Sequence, residues 1–235
     1  QARAKMQEAG VPVVPGSLNA LYDVKEALEE AKAMGFPVMI KASSGGGGKG
    51  MRECYSEGDF ENEFLTAQRE SANAFSDDAM YLEKLILEPR HVEVQIMGDS
   101  FGNVIALGER DCSIQRNHQK LVEESPSPIV TAESRKAMME AAVNAAKAVS
   151  YVGAGTIEFI VDQEGKFYFM EMNTRIQVEH GVTELVTDTD LVIEQIRVCA
   201  GEPLSMKQEE VLLRGHAIEC RINAEIPEKN FMPSP

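Results

Sequence analysis

Apolar and polar positions along this chain follow two periods, and the switches between them outline its elements. The opening residues, QARAKMQEAG, read as a helix up to Gly10, and VPVVPG after them as a proline-punctuated connector. Asp23 is placed to cap a helix that runs through Met34, with Gly35 just past its end. FPVMIKA then reads as a strand, SSGGGGKG as a loop and MRECY as a second short strand. The next segment, SEGDFENEFLTAQRESANAF, has helical periodicity and a Ser56/Asp59 capping pattern. MYLEKLI is a strand leading towards Pro89. HVEVQIMG and NVIALGER alternate as strands, joined by a turn at Asp99, Ser100, Phe101 and Gly102. DCSIQRNHQKLVEESP shows no period and reads as irregular. Thr131 opens a helix to about Val149, GTIEFIVDQEGKFYFMEMN forms a hairpin, and residues 191–200 a helix stopped by Gly201. HAIECRINAE is a last alternating strand. The expected fold class is α+β: a small α+β lobe over 13–85 and a larger antiparallel-rich body over 86–235. Residues 1–12 are expected to be a helix belonging to a preceding domain.

One stretch breaks the ordinary pattern. After the apolar run Phe167, Tyr168, Phe169 and Met170, every second residue is polar: Glu171, Asn173, Arg175, Gln177 and Glu179. A two-residue turn at Glu164 and Gly165 sets Gln163 against Lys166 and Glu158 directly against Glu171. Like charges opposed in a sheet are destabilising unless something neutralises them. A divalent cation does so, and all-oxygen ligands, with Asn173 adding one, favour Mg²⁺ or Mn²⁺. A three-residue turn would put the two acids on opposite faces, and two acids on a solvated face is the plain alternative. Further along, Arg175 suits a small oxyanion and Glu179 a proton. In the last strand Glu219, Arg221 and Asn223 share one face, and Ile218, Cys220 and Ile222 the other.

The loop holding Gly45, Gly46, Gly47 and Gly48, then Lys49 and Gly50, lets backbone N–H groups close around phosphate oxygens. It is no Walker A loop, which needs Ser or Thr after the lysine and then a helix. A dinucleotide fingerprint also needs a helix next, and MRECY is not one. A flexible linker remains an alternative, but strand–loop–strand suits a flap over nucleotide phosphates, with Lys41 reaching the same anions. His91, Glu93 and Gln95 share a strand face, and Gln115, His118 and Lys120 lie close in sequence. No second His or Cys stands at ligand spacing, so hydrogen bonding to ribose or phosphate is the better functional reading beside a structural one.

Composition narrows the partners. The 43% hydrophobic content supports an ordinary core, and a net charge of −15 argues against nucleic acid or an anionic membrane. No run of 18 apolar residues exists, and the N-terminus is not a signal peptide. The four cysteines form no CxxC pair or zinc spacing, as in a reduced, cytoplasmic protein. A chain that starts without Met and ends in NFMPSP is expected to be a piece of something longer.

The strings KASSGGGGKGMR, EPRHVEVQ, ERDCSIQRNHQK, GAGTIEF, FMEMNTRIQVEH and GHAIECRINAE together resemble the ATP-grasp core of the biotin carboxylases, the ATP-using part of acetyl-CoA, propionyl-CoA and pyruvate carboxylases. The resemblance implies a lid lobe plus a catalytic body, and carboxylation of biotin by ATP and bicarbonate through carboxyphosphate. It implies ATP contacts from Lys41, the glycine flap (Gly45, Gly46, Gly47, Gly48, Gly50), Glu83, Lys84, Ile86, His91, Gln115, His118 and Ile160. Glu158, Glu171 and Asn173 would carry the metal. Arg175, Lys120, Gln177 and the Val178 backbone would seat bicarbonate, Glu179 would be the base, and Arg221 would stabilise the biotin enolate. A biotin carrier domain, a carboxyltransferase and a homodimeric parent are the implied partners. The family usually has Pro where this chain has Gly181, and its flanking segments, a Rossmann-like domain among them, are missing. The rival functions are another ATP-grasp ligase of carbamoyl-phosphate synthetase type and a non-catalytic nucleotide-binding module.

Overall fold

The computed structural model describes residues 2–44, 50–117 and 119–234. The expectations placed on Gly45, Gly46, Gly47, Gly48 and His118 lie outside the described residues. The chain divides into two compact units, residues 14–87 and residues 1–13 with 88–235.

The first helix, α1 (Ala2–Glu8), belongs to the larger unit. In the smaller unit, α2 (Val24–Met34) starts where the Asp23 carboxylate accepts the N–H groups of Lys25 and Glu26 at 2.9 and 3.0 Å. It stops at Gly35, whose φ of 78° a side chain would resist. A three-stranded antiparallel sheet follows, with β1 (Val38–Ala42) between β2 (Met51–Cys54) and β3 (Met80–Lys84). The long helix α3 (Glu57–Phe75) buries Phe60 and Phe64, stacked at 5.7 Å, against Val38, Ile40 and Leu82. The Ser56/Asp59 pattern does not cap α3 in the expected way. The Ser56 hydroxyl donates to the Asp59 carboxylate at 2.7 Å instead of accepting a backbone N–H.

The larger unit is built on a six-stranded antiparallel sheet. Its strands are β4 (Arg90–Gly98), β5 (Val104–Arg116), β6 (Gln119–Ser125), β7 (Gly153–Val161), β8 (Phe167–Asn173) and β9 (Ala217–Cys220), in the order β8-β7-β4-β5-β6-β9. On one face Val92, Val94 and Ile96 of β4 and Ile157 and Phe159 of β7 pack on α4 (Ala132–Ala148) and Met6 of α1. Four buried alanines of α4, Ala141, Ala142, Ala145 and Ala146, leave room for those branched side chains. Thr131 caps α4 as the sequence suggests, accepting the Ser134 N–H at 3.1 Å. On the opposite face α5 (His180–Thr187) sets Val182 and Val186 against Ala217, and α6 (Leu191–Cys199) sets Leu191 and Val198 against Met97, Ile105 and Leu107. No helix among the described residues is long and apolar enough to cross a membrane.

Other local expectations fail for physical reasons, and the last strand of the sheet is shorter than expected, ending at Cys220. The segment read as irregular is a hairpin of β5 and β6. Register shifts around Asp111, Ile114 and Gln115 scramble its alternation without ending the pairing. The polar stripe does not continue as a strand: β8 ends at Asn173, residues 174–179 form a loop, and α5 starts at His180. The β7–β8 turn has three loop residues, Gln163, Glu164 and Gly165, between Asp162 and Lys166, whose backbones bond at 2.9 Å. Gly165, at φ 81°, supplies the left-handed position. A compensating bulge leaves Met170 unpaired, because Phe159 faces Phe169 while Glu158 faces Glu171. The acids therefore end up opposed as the two-residue turn required, by another route.

Candidate active site

A row of charges crosses the sheet on the face opposite α4. Arg110 of β5 pairs with Glu93 of β4, Glu93 with Glu158 of β7, and Glu158 with Glu171 of β8. Arg110 faces this way because β5 carries a bulge ahead of it, between the pairs Val94–Glu109 and Ile96–Ala106. Gly108, at φ 86°, lies in that bulge, and a Cβ there would stand 2.6 Å from Leu213 Cδ2. The Arg110 side chain is fully buried. It donates to Glu93 and Gln95 at 2.7 Å, to Thr183 of α5 at 3.0 Å and to Thr156 at 3.2 Å.

Lys120 of β6 joins this row to α5. Its ammonium donates to Glu93 at 2.6 Å, Glu158 at 2.8 Å and Glu179 at 2.7 Å. Glu179 is buried at the N-terminal end of α5 and takes a second bond, from Arg221 at 2.9 Å. The Arg221 Nε donates in turn to Glu123 at 2.7 Å. Glu158 also accepts from Asn173 at 3.0 Å and Gln177 at 3.2 Å. Each buried ion of this row is compensated by at least one opposite charge, which burial at this depth demands.

Burial works against the charge on Glu93, yet Arg110, His91 and Lys120 hold its carboxyl well below the usual range. Burial likewise opposes charge on Lys120, and Glu93 foremost raises its pKa. For His91, burial is outweighed by Glu158 and Glu93, at 3.4 and 3.5 Å from Nε2, and its pKa rises to about 9. Glu158 is lowered, with burial opposed by His91 and Lys120. Burial pushes Glu123 up despite Arg221, and it pushes the Cys112 thiol up strongly.

These groups open on a cleft of about 790 Å³ in the larger unit. It gathers His91, Gln115, Lys120, Glu158, Ile160, Glu171, Asn173, Arg175, Gln177, Val178, Glu179 and Arg221. Arg175 and Val178 are exposed, the latter by 61%. Gln115 donates to the Cys112 carbonyl at 2.8 Å and stands 3.0 Å from His91 Nδ1. Among the described residues two clusters have ligand atoms close enough to share a cation: His91, Glu93 and Glu158, and Glu93, Cys112 and Glu179. Lys120 already bridges the carboxylates of both.

The other predicted residues belong to the smaller unit. Lys41 pairs with Glu83 across β1 and β3. The Lys84 ammonium is committed to the carbonyls of Gly35 and Phe36 at 2.8 and 3.0 Å, just past the end of α2. Its backbone N–H is given to the Pro15 carbonyl at 2.7 Å. Ile86 is half-buried beyond β3, and Gly50, at φ 76°, accepts the Ala42 N–H at 2.7 Å. The sequence reading gave no role to Arg110, Glu93, Glu123 or Thr183. The one signal it held was Glu93 on the strand face shared with His91 and Gln95.

Comparison with known proteins bears on this geometry. The family described as Carbamoyl-phosphate synthase L chain, ATP binding domain, matches residues 1–207. Biotin carboxylase 1 of Bacillus subtilis is 59% identical over 235 residues, all of this chain and 52% of that protein. A biotin carboxylase–beta-gamma-ATP complex from Campylobacter jejuni superposes with a TM-score of 0.85 at 53% identity, covering 100% of this chain and 52% of that one. The biotin carboxylase domain dimer of Hydrogenobacter thermophilus 2-oxoglutarate carboxylase, with MgADP, ADP and bicarbonate, gives 0.83 at 53% identity, covering 99% and 52%. The chain spans about half the length of the curated relatives it matches.

Proposed function

This chain belongs to the carbamoyl-phosphate synthase L chain, ATP binding domain, family and has the ATP-grasp fold, and from that premise we propose that its parent carboxylates biotin with ATP and bicarbonate. The observation that carries the reading is the Lys120–Glu179–Arg221 cluster on a cleft that also holds Arg175. Two guanidinium groups and an ammonium suit a small oxyanion, and a buried carboxylate beside them suits its proton.

In the proposed reaction Glu179 takes the bicarbonate proton, and a bicarbonate oxygen attacks the γ-phosphorus of ATP. The bond from that phosphorus to ADP breaks, leaving carboxyphosphate. Its carboxyl group then passes to the ureido nitrogen of biotin, and the departing phosphate takes the proton that this nitrogen loses. Lys120, Arg175, Gln177 and the Val178 backbone hold the bicarbonate, and Arg221 faces the biotin enolate oxygen. Gln177 Oε1 is a buried acceptor without a donor among the described residues, so it has an oxygen to offer a ligand.

The opposed Glu158 and Glu171 with Asn173 form an all-oxygen donor set that fits a hard divalent cation. Mg²⁺ or Mn²⁺ held there would neutralise phosphate charge. Lys41, Gly45, Gly46, Gly47, Gly48, Gly50, Glu83, Lys84 and Ile86 of the smaller unit, the proposed lid, are assigned to ATP, as are His91, Gln115, His118 and Ile160. A biotin carrier domain, a carboxyltransferase, a homodimeric parent and a cytoplasmic location complete the proposal.

The test is ADP release from MgATP by this chain, leaving out bicarbonate and free biotin in turn. Release that needs both is the expected result. Release independent of bicarbonate, or none while MgATP still binds, counts against this activity for the chain.

A further inference from the structure

The site poses a problem for its own base. Both oxygens of Glu179 are occupied, Oε1 by Lys120 and Oε2 by Arg221. Each oxygen keeps a second lone pair, but the side chain is buried, so a bicarbonate that reaches it needs one partner to give ground. Lys120 is held by Glu93 and Glu158 as well. Among the described residues the Arg221 side chain is hydrogen-bonded elsewhere only by Glu123, and Glu123 carries the second anomaly. Its side chain is fully buried, and its Oε2 has no hydrogen-bond partner among the described residues. A buried carboxylate oxygen left unpaired is costly and calls for a reason.

The two anomalies fit each other. Arg221 donates through Nε to Glu123 Oε1 and through Nη2 to Glu179 Oε2. Nε and Nη2 are the two donors that a guanidinium sets side-on to a single carboxylate as a bidentate fork. Glu123 Oε2 is the acceptor that completes such a fork. We propose that Glu123 is a positioning residue that lets Arg221 release Glu179. The guanidinium pivots about its Nε bond and moves Nη2 from Glu179 Oε2 to Glu123 Oε2, so that no charge is stranded and the base is uncovered. Glu219, opposite Glu123 across β6 and β9, adds a further carboxylate beside the pivot. This inference rests on the reading of Glu179 as the base.

Glu123→Gln tests it, because glutamine keeps an acceptor for Nε but sets an amide N–H₂ where Nη2 must arrive. In the otherwise native chain, kcat for bicarbonate-dependent ADP release is expected to fall about tenfold or more, with KM for MgATP unchanged within about twofold. In an Arg221→Met background there is no clamp to release, and the same substitution is expected to add less than about twofold. Equal losses in the two backgrounds, or no loss in the first, overturn the proposal. A second measurement needs no turnover. In ¹⁵N-arginine spectra of Glu179→Ala, the Arg221 Nη2 protons are expected to be resolved and slow to exchange, as in a bidentate pair. Adding Glu123→Gln should erase them. Fast-averaging Nη protons in Glu179→Ala itself refute the clamp, even in a chain that fails to cleave ATP.

Discussion

The two faces of the six-stranded sheet are made from the same strands and solve different problems. Along β4, Val92, Val94 and Ile96 go to α4, while His91, Glu93 and Gln95 go to the ionic face that underlies the cleft. Both sets are well buried, yet the first needs only volume and the second needs a partner for every charge. On the apolar side a misplaced methyl is a small loss, because dispersion contacts are many and individually weak. On the ionic side Arg110, Glu93, Lys120, Glu179, Arg221 and Glu123 form one linked series, and removing any member takes a charged partner from its neighbour. Stability on that face is coupled to the alignment of the site.

The sharpest way to break the comparison is one truncation on each face. Arg110→Met leaves the buried Glu93 with Lys120 as its remaining bonded cation and takes the donors from Gln95, Thr183 and Thr156, and should cost the larger unit about 2–4 kcal/mol. Ile96→Val, on the same sheet facing α4, should cost about 0.5–1.5 kcal/mol. Urea unfolding of the two variants compares them directly, and equal costs would erase the distinction. Next in size, Glu179→Gln should cut bicarbonate-dependent ADP release about 100-fold or more while MgATP affinity holds, as read by steady-state kinetics and calorimetry. Gly108→Ala probes the bulge that turns Arg110 to the ionic face. A side chain at φ 86° and the clash with Leu213 should together cost about 1–3 kcal/mol, seen as a lower thermal midpoint.

The smallest effect isolates a buried acid that has no share in the cleft network. Asp99 accepts the N–H groups of Phe101 and Asn103 at 2.9 Å, and that of Leu204 at 3.1 Å. Burial opposes its charge, but these bonds and the Asn103 amide hold its pKa below the ordinary 3.8. A depressed acid stabilises the fold above its unfolded pKa and loses that contribution as pH falls through the folded value. Asp99→Asn should therefore cost about 1 kcal/mol at neutral pH, and the gap to the native chain should close below about pH 4. A gap independent of pH would assign the loss to packing.

What the sequence displayed tracks the range of each interaction. Asp23 and Thr131 were readable as caps because a cap bonds within three residues of itself. The alternation of β4 was readable because it is local. The links that make the cleft are not: Lys120 lies 59 positions from Glu179 and 27 from Glu93. Nothing in the composition of either segment announces the other. The family resemblance supplied Lys120, Glu179 and Arg221, but not the Arg110, Glu93 and Glu123 that hold them. The helix α5 was hidden by the polar stripe before it, although Val182 and Val186, four residues apart, carried its signal.

The β7–β8 hairpin carries an arithmetic of its own. Its three-residue loop and its bulge at Met170 each shift side chains by one position, and each alone would turn Glu171 to the apolar face. Together they restore parity. A single deletion in the loop should therefore be repaired by deleting Met170 more readily than by any change at the acids. Over long divergence, insertions and deletions in this hairpin are expected to be kept in pairs, as reading frames are.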